Sequence, residues 1–97
     1  MRLRYTLPAL ADLESILNSI ADRSPQGAAR VHARIQPVIN LLLQYPQAGS
    51  LTDDPPIRRM TTRPYPYLIF YEATHDEIII HAVRHGACDP SDNPRRG

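Results

Sequence analysis

The sequence has no tryptophan, no lysine, one cysteine and four glycines in 97 residues. With Cys88 alone no internal disulfide can form, which excludes a stapled secreted scaffold and leaves stability to packing. The longest apolar runs, residues 41–43, 67–71 and 78–80, fall far short of the roughly 18 residues that cross a bilayer, so no membrane span is expected. Arg2 and Arg4 stand where a secretory leader would be building its apolar region, and a cytoplasmic location is expected. An excess of charge is missing too. Eleven basic and ten acidic residues leave a net charge of +1, too little to call for a nucleic-acid partner, and direct sequence-specific DNA binding is not expected. All the basic residues are arginine, which suits bidentate contacts with carboxylate or phosphate, although GC-rich coding is the preferred explanation.

What is present is one domain's worth of periodic sequence. Residues 2–5 alternate with Leu3 and Tyr5 on one face, as in a short strand. Thr6 is then a capping residue, and Leu10, Leu13, Ile16, Leu17 and Ile20 predict a helix over residues 7–22. Ser24-Pro25 repeats the start signal, and Val31, Ile35, Val38, Ile39 and Leu42 predict a second helix running to about Gln44, antiparallel to the first. Pro37 removes the bond to the Ala33 carbonyl, a defect worth about 3 kcal/mol in an isolated helix, and predicts a kink or a break there. Residues 46–56, rich in proline, glycine and aspartate, read as a loop. Residues 57–62, 66–72 and 77–84 then read as strands, the last two joined as a hairpin by residues 73–76. The expected fold is α+β: an N-terminal strand and a two-helix hairpin packed on one face of an antiparallel sheet of three to four strands. Residues 1–88 form the domain, and the polar segment 89–97 is expected to be a flexible tail.

With helices on one face only, the other face should be an open docking surface lined by arginine and tyrosine. Arg58, Arg59, Arg63 and Arg84 are candidates for one basic patch there, against the alternative of a solvated edge paired with Asp53, Asp54 and Glu72. Tyr65, Tyr67 and Tyr71 share a parity, and core packing is the preferred reading for them over base stacking. His81, His85 and Cys88 invite a metal reading, but residues four apart on a strand are about 13 Å apart, too far to share a zinc ion. No metal and no cofactor is expected. His85 at the end of the last strand is a conceivable general base.

The opening Leu3-Arg4-Tyr5-Thr6, the run Ala11-Asp12-Leu13-Glu14-Ser15-Ile16, the Pro46-x-x-Gly49 turn, the strand Pro66-Tyr67-Leu68-Ile69-Phe70-Tyr71 and the ending Val83-Arg84-His85-Gly86-Ala87-x-Asp89-Pro90 resemble the RelE/ParE superfamily of bacterial type II toxin–antitoxin toxins, nearly end to end. The RelE-like branch cleaves mRNA on the ribosome with positioned cations and a proton carrier. Its members usually carry an arginine just after the tyrosine heading the penultimate strand, another after the last strand's final histidine or lysine, and a tyrosine near the C-terminus. Here those places hold Leu68, Gly86 and no tyrosine beyond Tyr71. The strand and the His-Gly ending look instead like the ParE branch, with Cys88 departing from the arginine common there.

The resemblance therefore implies a ParE-like toxin that inhibits DNA gyrase by binding, is linked to plasmid stabilization, has no catalytic residues of its own and is neutralised by a cognate antitoxin. The alternative it leaves is a RelE-like ribosome-dependent mRNA endonuclease using Arg58, Arg59, Arg84 and His85. A toxin-derived module without toxicity is a third possibility. Target contacts are expected at Arg84, His85, Arg58, Arg59 and Arg63, and antitoxin contacts at Arg58, Arg59, Arg63 and Arg84, with the antitoxin lying along the helix hairpin and a sheet edge. Gly86 is expected to take a positive φ that turns the chain out of the sheet.

Overall fold

In the computed structural model, which describes residues 1–86, Thr6 closes a strand and opens a helix. Its N–H donates to the Ile80 carbonyl at 3.0 Å, continuing the line of strand β1 (Arg2–Tyr5). Its hydroxyl accepts from the Ala9 N–H and so caps helix α1 (Leu7–Ala21), with Pro8 in the first turn where no N–H is missed. Ser24 does the same for helix α2 (Pro25–Gln44), accepting from the Gly27 N–H at 3.0 Å. Both helix starts fall where the sequence places them.

Helix α2 runs unbroken through Pro37, so the expected break does not occur. Pro37 points outward, where water can satisfy the Ala33 carbonyl, while Ile35, Val38 and Ile39 beside it are buried. Each of these contributes roughly 1.5–3 kcal/mol on burial, together more than the proline costs. In α1 it is Ala9 that is fully buried, with Leu13, Ile16, Leu17 and Ile20 packed alongside, whereas Leu10 lies off the stripe and is exposed.

The α+β architecture is as expected, but the sheet has five strands and is mixed. Strands β2 (Ser50–Leu51), β3 (Ile57–Thr62), β4 (Tyr65–Ala73) and β5 (Glu77–His85) join β1 in the order β1-β5-β4-β3-β2. The segment read as a loop contains β2, two residues paired with Arg58 and Arg59 of β3. The N-terminal strand runs parallel to β5, because the helix hairpin intervenes between them as a crossover; all other pairings are antiparallel. Residues 74–76 turn the β4–β5 hairpin, with the Thr74 hydroxyl accepting from the Glu77 N–H.

Ile69, Tyr71, Ile78, Ile80 and Val83 face the helices in the main core, and Tyr65 and Tyr67 pack against it. The three tyrosines thus lie on the helix side, as the packing alternative requires, and the opposite face is not lined by tyrosine. That face holds a small cluster of Ile57, Phe70 and Ala82 with Leu68 beside it. The register slips between Phe70 and Tyr71, which pair with Ala82 and Ile80, leaving His81 as an extra residue in β5. The tail assigned to residues 89–97, and Cys88, lie outside the described residues. No helix among the described residues is long and apolar enough to cross a membrane.

Candidate interaction site

Four of the expected site residues sit on strands, and alternation decides which of them meet. Arg58 pairs with Tyr71 and Arg59 with Phe70, so the two project from opposite faces of β3. The Arg58 guanidinium is committed to the turn after α2: its Nη1 donates to the Gly49 carbonyl at 2.8 Å. The Gly49 N–H in turn donates to the Tyr71 hydroxyl at 2.9 Å, and that hydroxyl donates to the Pro46 carbonyl at 2.9 Å. Burial pushes the Tyr71 hydroxyl above its ordinary pKa, against smaller opposing effects of the Gly49 N–H and the Arg58 charge. A Cβ at Gly49 would stand 2.7 Å from the Tyr71 ring and hydroxyl and 2.8 Å from the Arg59 carbonyl oxygen, so the turn admits only glycine.

Arg84 pairs with Leu68 across β4, which places it on the same face as Arg59 and away from Arg58. Arg63 lies in the β3–β4 turn, its carbonyl accepting from Arg34 Nε at 2.6 Å. The single patch of four arginines is therefore not formed: Arg59 and Arg84 share a face, Arg58 is on the other and Arg63 is at the turn. Glu72 does not pair with them either. It lies 3.0 Å from His81 Nε2, the residue that the bulge swings onto the second face.

The end of β5 is fastened from α1. β1 covers only residues 77–80 of β5, and beyond it the Asp12 carboxylate accepts the Val83 N–H at 3.1 Å and lies 4.0 Å from Arg84 Nε. A cleft of about 440 Å³ opens there, lined by Thr6, Asp12, Ile57, His81 and Arg84 among others. His85 faces the helix side, its ring edge-on to Tyr67 with centroids 5.4 Å apart. Gly86 is not in the left-handed region, contrary to expectation. Its N–H donates to the Pro66 carbonyl, and a Cβ would lie 3.0 Å from that oxygen, so close approach is the reason for glycine there. Among the described residues no group of three or more His, Cys, Asp or Glu is placed to hold a metal ion.

Asp12 and the Glu72–His81 pair were not legible as site residues. Asp12 stands in the Ala11–Ile16 run, but its partner is a backbone N–H 71 residues away, which no local period reports. The bulge that re-aims His81 leaves no compositional mark.

The geometry can now be set beside known proteins. The profile of the family described as ParE toxin of type II toxin-antitoxin system, parDE, matches residues 3–90. The chain belongs to this family. It is a toxin of the ParE/RelE kind from a type II toxin–antitoxin system. Among its relatives, the protein Y4kP of Sinorhizobium fredii is 35% identical over 79 residues, 81% of this chain and 82% of that one. Toxin RelE2 of Caulobacter vibrioides is 34% identical over 83 residues, 86% and 92% of the two chains. A solved structure described as a chromosomal ParDE TA system from P. aeruginosa superposes with a TM-score of 0.76 at 24% identity, covering 88% of this chain and 95% of that one, and so shares the ParE fold.

Proposed function

We propose that this toxin acts in the cytoplasm by binding and inhibiting DNA gyrase, without cutting nucleic acid itself, and that a cognate antitoxin holds it inactive. Its target contacts are Arg84, with Arg59 on the same face, and His85, which projects to the helix side at the end of β5. The observation that carries this reading is what stands where a nuclease of this superfamily would place its cations. Leu68 belongs to the apolar cluster of the second face, and the place after His85 holds Gly86, where a Cβ would be tight at 3.0 Å from the Pro66 carbonyl oxygen. The Tyr71 hydroxyl is bound between Gly49 and Pro46 and is not free to carry a proton. A phosphoryl-transfer transition state needs positioned positive charge and an acid–base pair, and these places supply neither.

The competing reading, a RelE-like ribosome-dependent mRNA endonuclease, is favoured by the relative named RelE2. It would need Arg58 and Arg59 in one site, yet they point to opposite faces of β3. Two assays of the purified chain separate the readings. Supercoiling of relaxed plasmid by gyrase should be blocked, and primer extension on an in vitro translation reaction should find intact mRNA. Cleavage at the ribosomal A site with supercoiling unaffected would replace gyrase by the ribosome as target.

A further inference from the structure

We infer that the chain pairs with a second copy of itself through the free edge of β1, joining two sheets across a two-fold axis at Arg4, whichever target the toxin inhibits. The hydrogen-bond directions along β1 are fixed by its one partner strand. The Arg2 N–H donates to the Asp76 carbonyl at 2.9 Å and the Thr6 N–H to the Ile80 carbonyl at 3.0 Å, with Arg2 beside Glu77 and Tyr5 beside Ile80 in parallel register. Backbone groups alternate in direction along a strand, so the N–H and C=O of Leu3 and Tyr5 point away from β5. No described strand receives them there, because β1 ends the sheet. The opposite edge, β2, is two residues long and too short to template a partner.

What an edge accepts depends on the side chains around it. Arg2 and Arg4 are the charges that would keep a neighbouring strand away, yet both are compensated from within the chain. Arg2 Nη2 lies 3.4 Å from an Asp76 carboxylate oxygen, and Arg4 reaches both oxygens of Glu77, at 3.3 and 3.4 Å. Nothing on the edge therefore selects a charged partner. Apolar surface is concentrated here instead. Met1, Leu3, Leu7 and Leu10 are four of the seven exposed large hydrophobic residues among those described, and Leu7 is 81% exposed. Leu3 and Tyr5 lie on the helix side of the edge, since they pair with Ile78 and Ile80 of the main core.

A second copy matches this edge in donors, acceptors and polarity. With the two strands antiparallel about Arg4, Leu3 faces Tyr5 of the second copy and Tyr5 faces its Leu3, each pair exchanging N–H and C=O bonds. This register keeps every bonded residue inside Arg2–Tyr5, whereas centring on Leu3 would call on Met1, outside the strand. On the helix side each Leu3 meets a tyrosine ring, a favourable cross-strand pair, and Leu7 comes toward Met1 of the second copy. On the other face two Arg4–Glu77 pairs meet, not two bare cations. The contact stays below the roughly 1,200 Å² of a stable interface, so association is reversible and concentration-dependent.

The full chain is followed by light scattering and by amide exchange from about 10 to about 1,000 µM. Its mass should rise from one chain toward two, and exchange at Leu3 and Tyr5 should slow by about tenfold or more over that range. The Arg2 and Thr6 amides, already bonded to β5, should be protected throughout. Leu3→Pro removes an N–H that points away from β5, a place where an edge strand tolerates proline, and should raise the dimer Kd by about tenfold or more. If that variant melts early, the exchange pattern of the wild-type chain decides. A chain that stays single, with fast exchange at Leu3 and Tyr5 at every concentration, overturns the inference. A dimer in which those amides still exchange fast, or which a folded Leu3→Pro forms equally well, places the contact elsewhere and overturns it too. Slow exchange in a chain that remains single would mean that the edge is covered without a second copy. Slow exchange only on adding the polypeptide encoded by the neighbouring reading frame would make the antitoxin the occupant. Either result overturns pairing between copies and leaves the reading of the target untouched.

Discussion

At the scale of single residues, the turn after α2 shows how one glycine can be required without a left-handed backbone. The motif Pro46-x-x-Gly49 reads from the sequence as a turn, and it is one; the reason for glycine is legible only from Tyr71, 22 residues away, whose ring and hydroxyl fill the space a Cβ would take. Gly49→Ala must move a ring or the Arg59 backbone and should cost roughly 1–3 kcal/mol as overpacking. Tyr71→Phe keeps the shape but strands the Gly49 N–H and the Pro46 carbonyl, for a similar loss of roughly 1–3 kcal/mol. Urea unfolding measures both. The hydroxyl also carries a pH signature. Its pKa is raised in the folded chain, so the folded state keeps a proton that the unfolded state releases above about pH 10. Stability should therefore fall as pH rises past that point, and the Tyr71→Phe variant should fall less steeply. An unchanged alkaline slope would mean that another group, such as the partly buried Tyr5 whose pKa desolvation also raises, dominates the titration.

At the scale of elements, both helices and the three long strands were readable because their signals are local: caps, apolar periods and turn residues within one segment. What escaped is decided by distant partners. The parallel pairing of β1 follows from the crossover through the helix hairpin, β2 exists only because β3 offers an edge, and the slip at His81 is a property of two strands together. Asp12 is the sharpest instance. Where β1 stops, a side chain from α1 takes over one ladder position by accepting the Val83 N–H, so that edge of β5 is tied at Val83. Asp12→Ala should release that N–H, raising amide exchange at Val83 and lowering stability by roughly 1–3 kcal/mol, whereas Asp12→Asn keeps an acceptor and should lose less. Equal exchange at Val83 in all three proteins would show that the carboxylate does not hold the strand.

At the scale of the whole molecule, the proposed target contact lies at the end of β5, outside the core that holds the scaffold together. Arg84→Ala with His85→Ala removes side chains that are partly or largely exposed, while the core beneath them, Ala82 and Val83 included, is untouched. The double substitution breaks an ion pair at 4.0 Å, worth at most about 1 kcal/mol, and an edge-on ring pair worth about 0.5–1.5 kcal/mol. Truncating the chain after Val83 is a poorer test, because it also deletes the pairing of Arg84 with Leu68 and of His85 with Tyr67. The double variant should therefore keep its fold, with a melting midpoint lowered by no more than about 20 °C at roughly 4–8 °C per kcal/mol. It should lose growth arrest. Growth arrest at the wild-type level in a folded double variant would move the target contact away from the end of β5, since no other change in that protein could restore it.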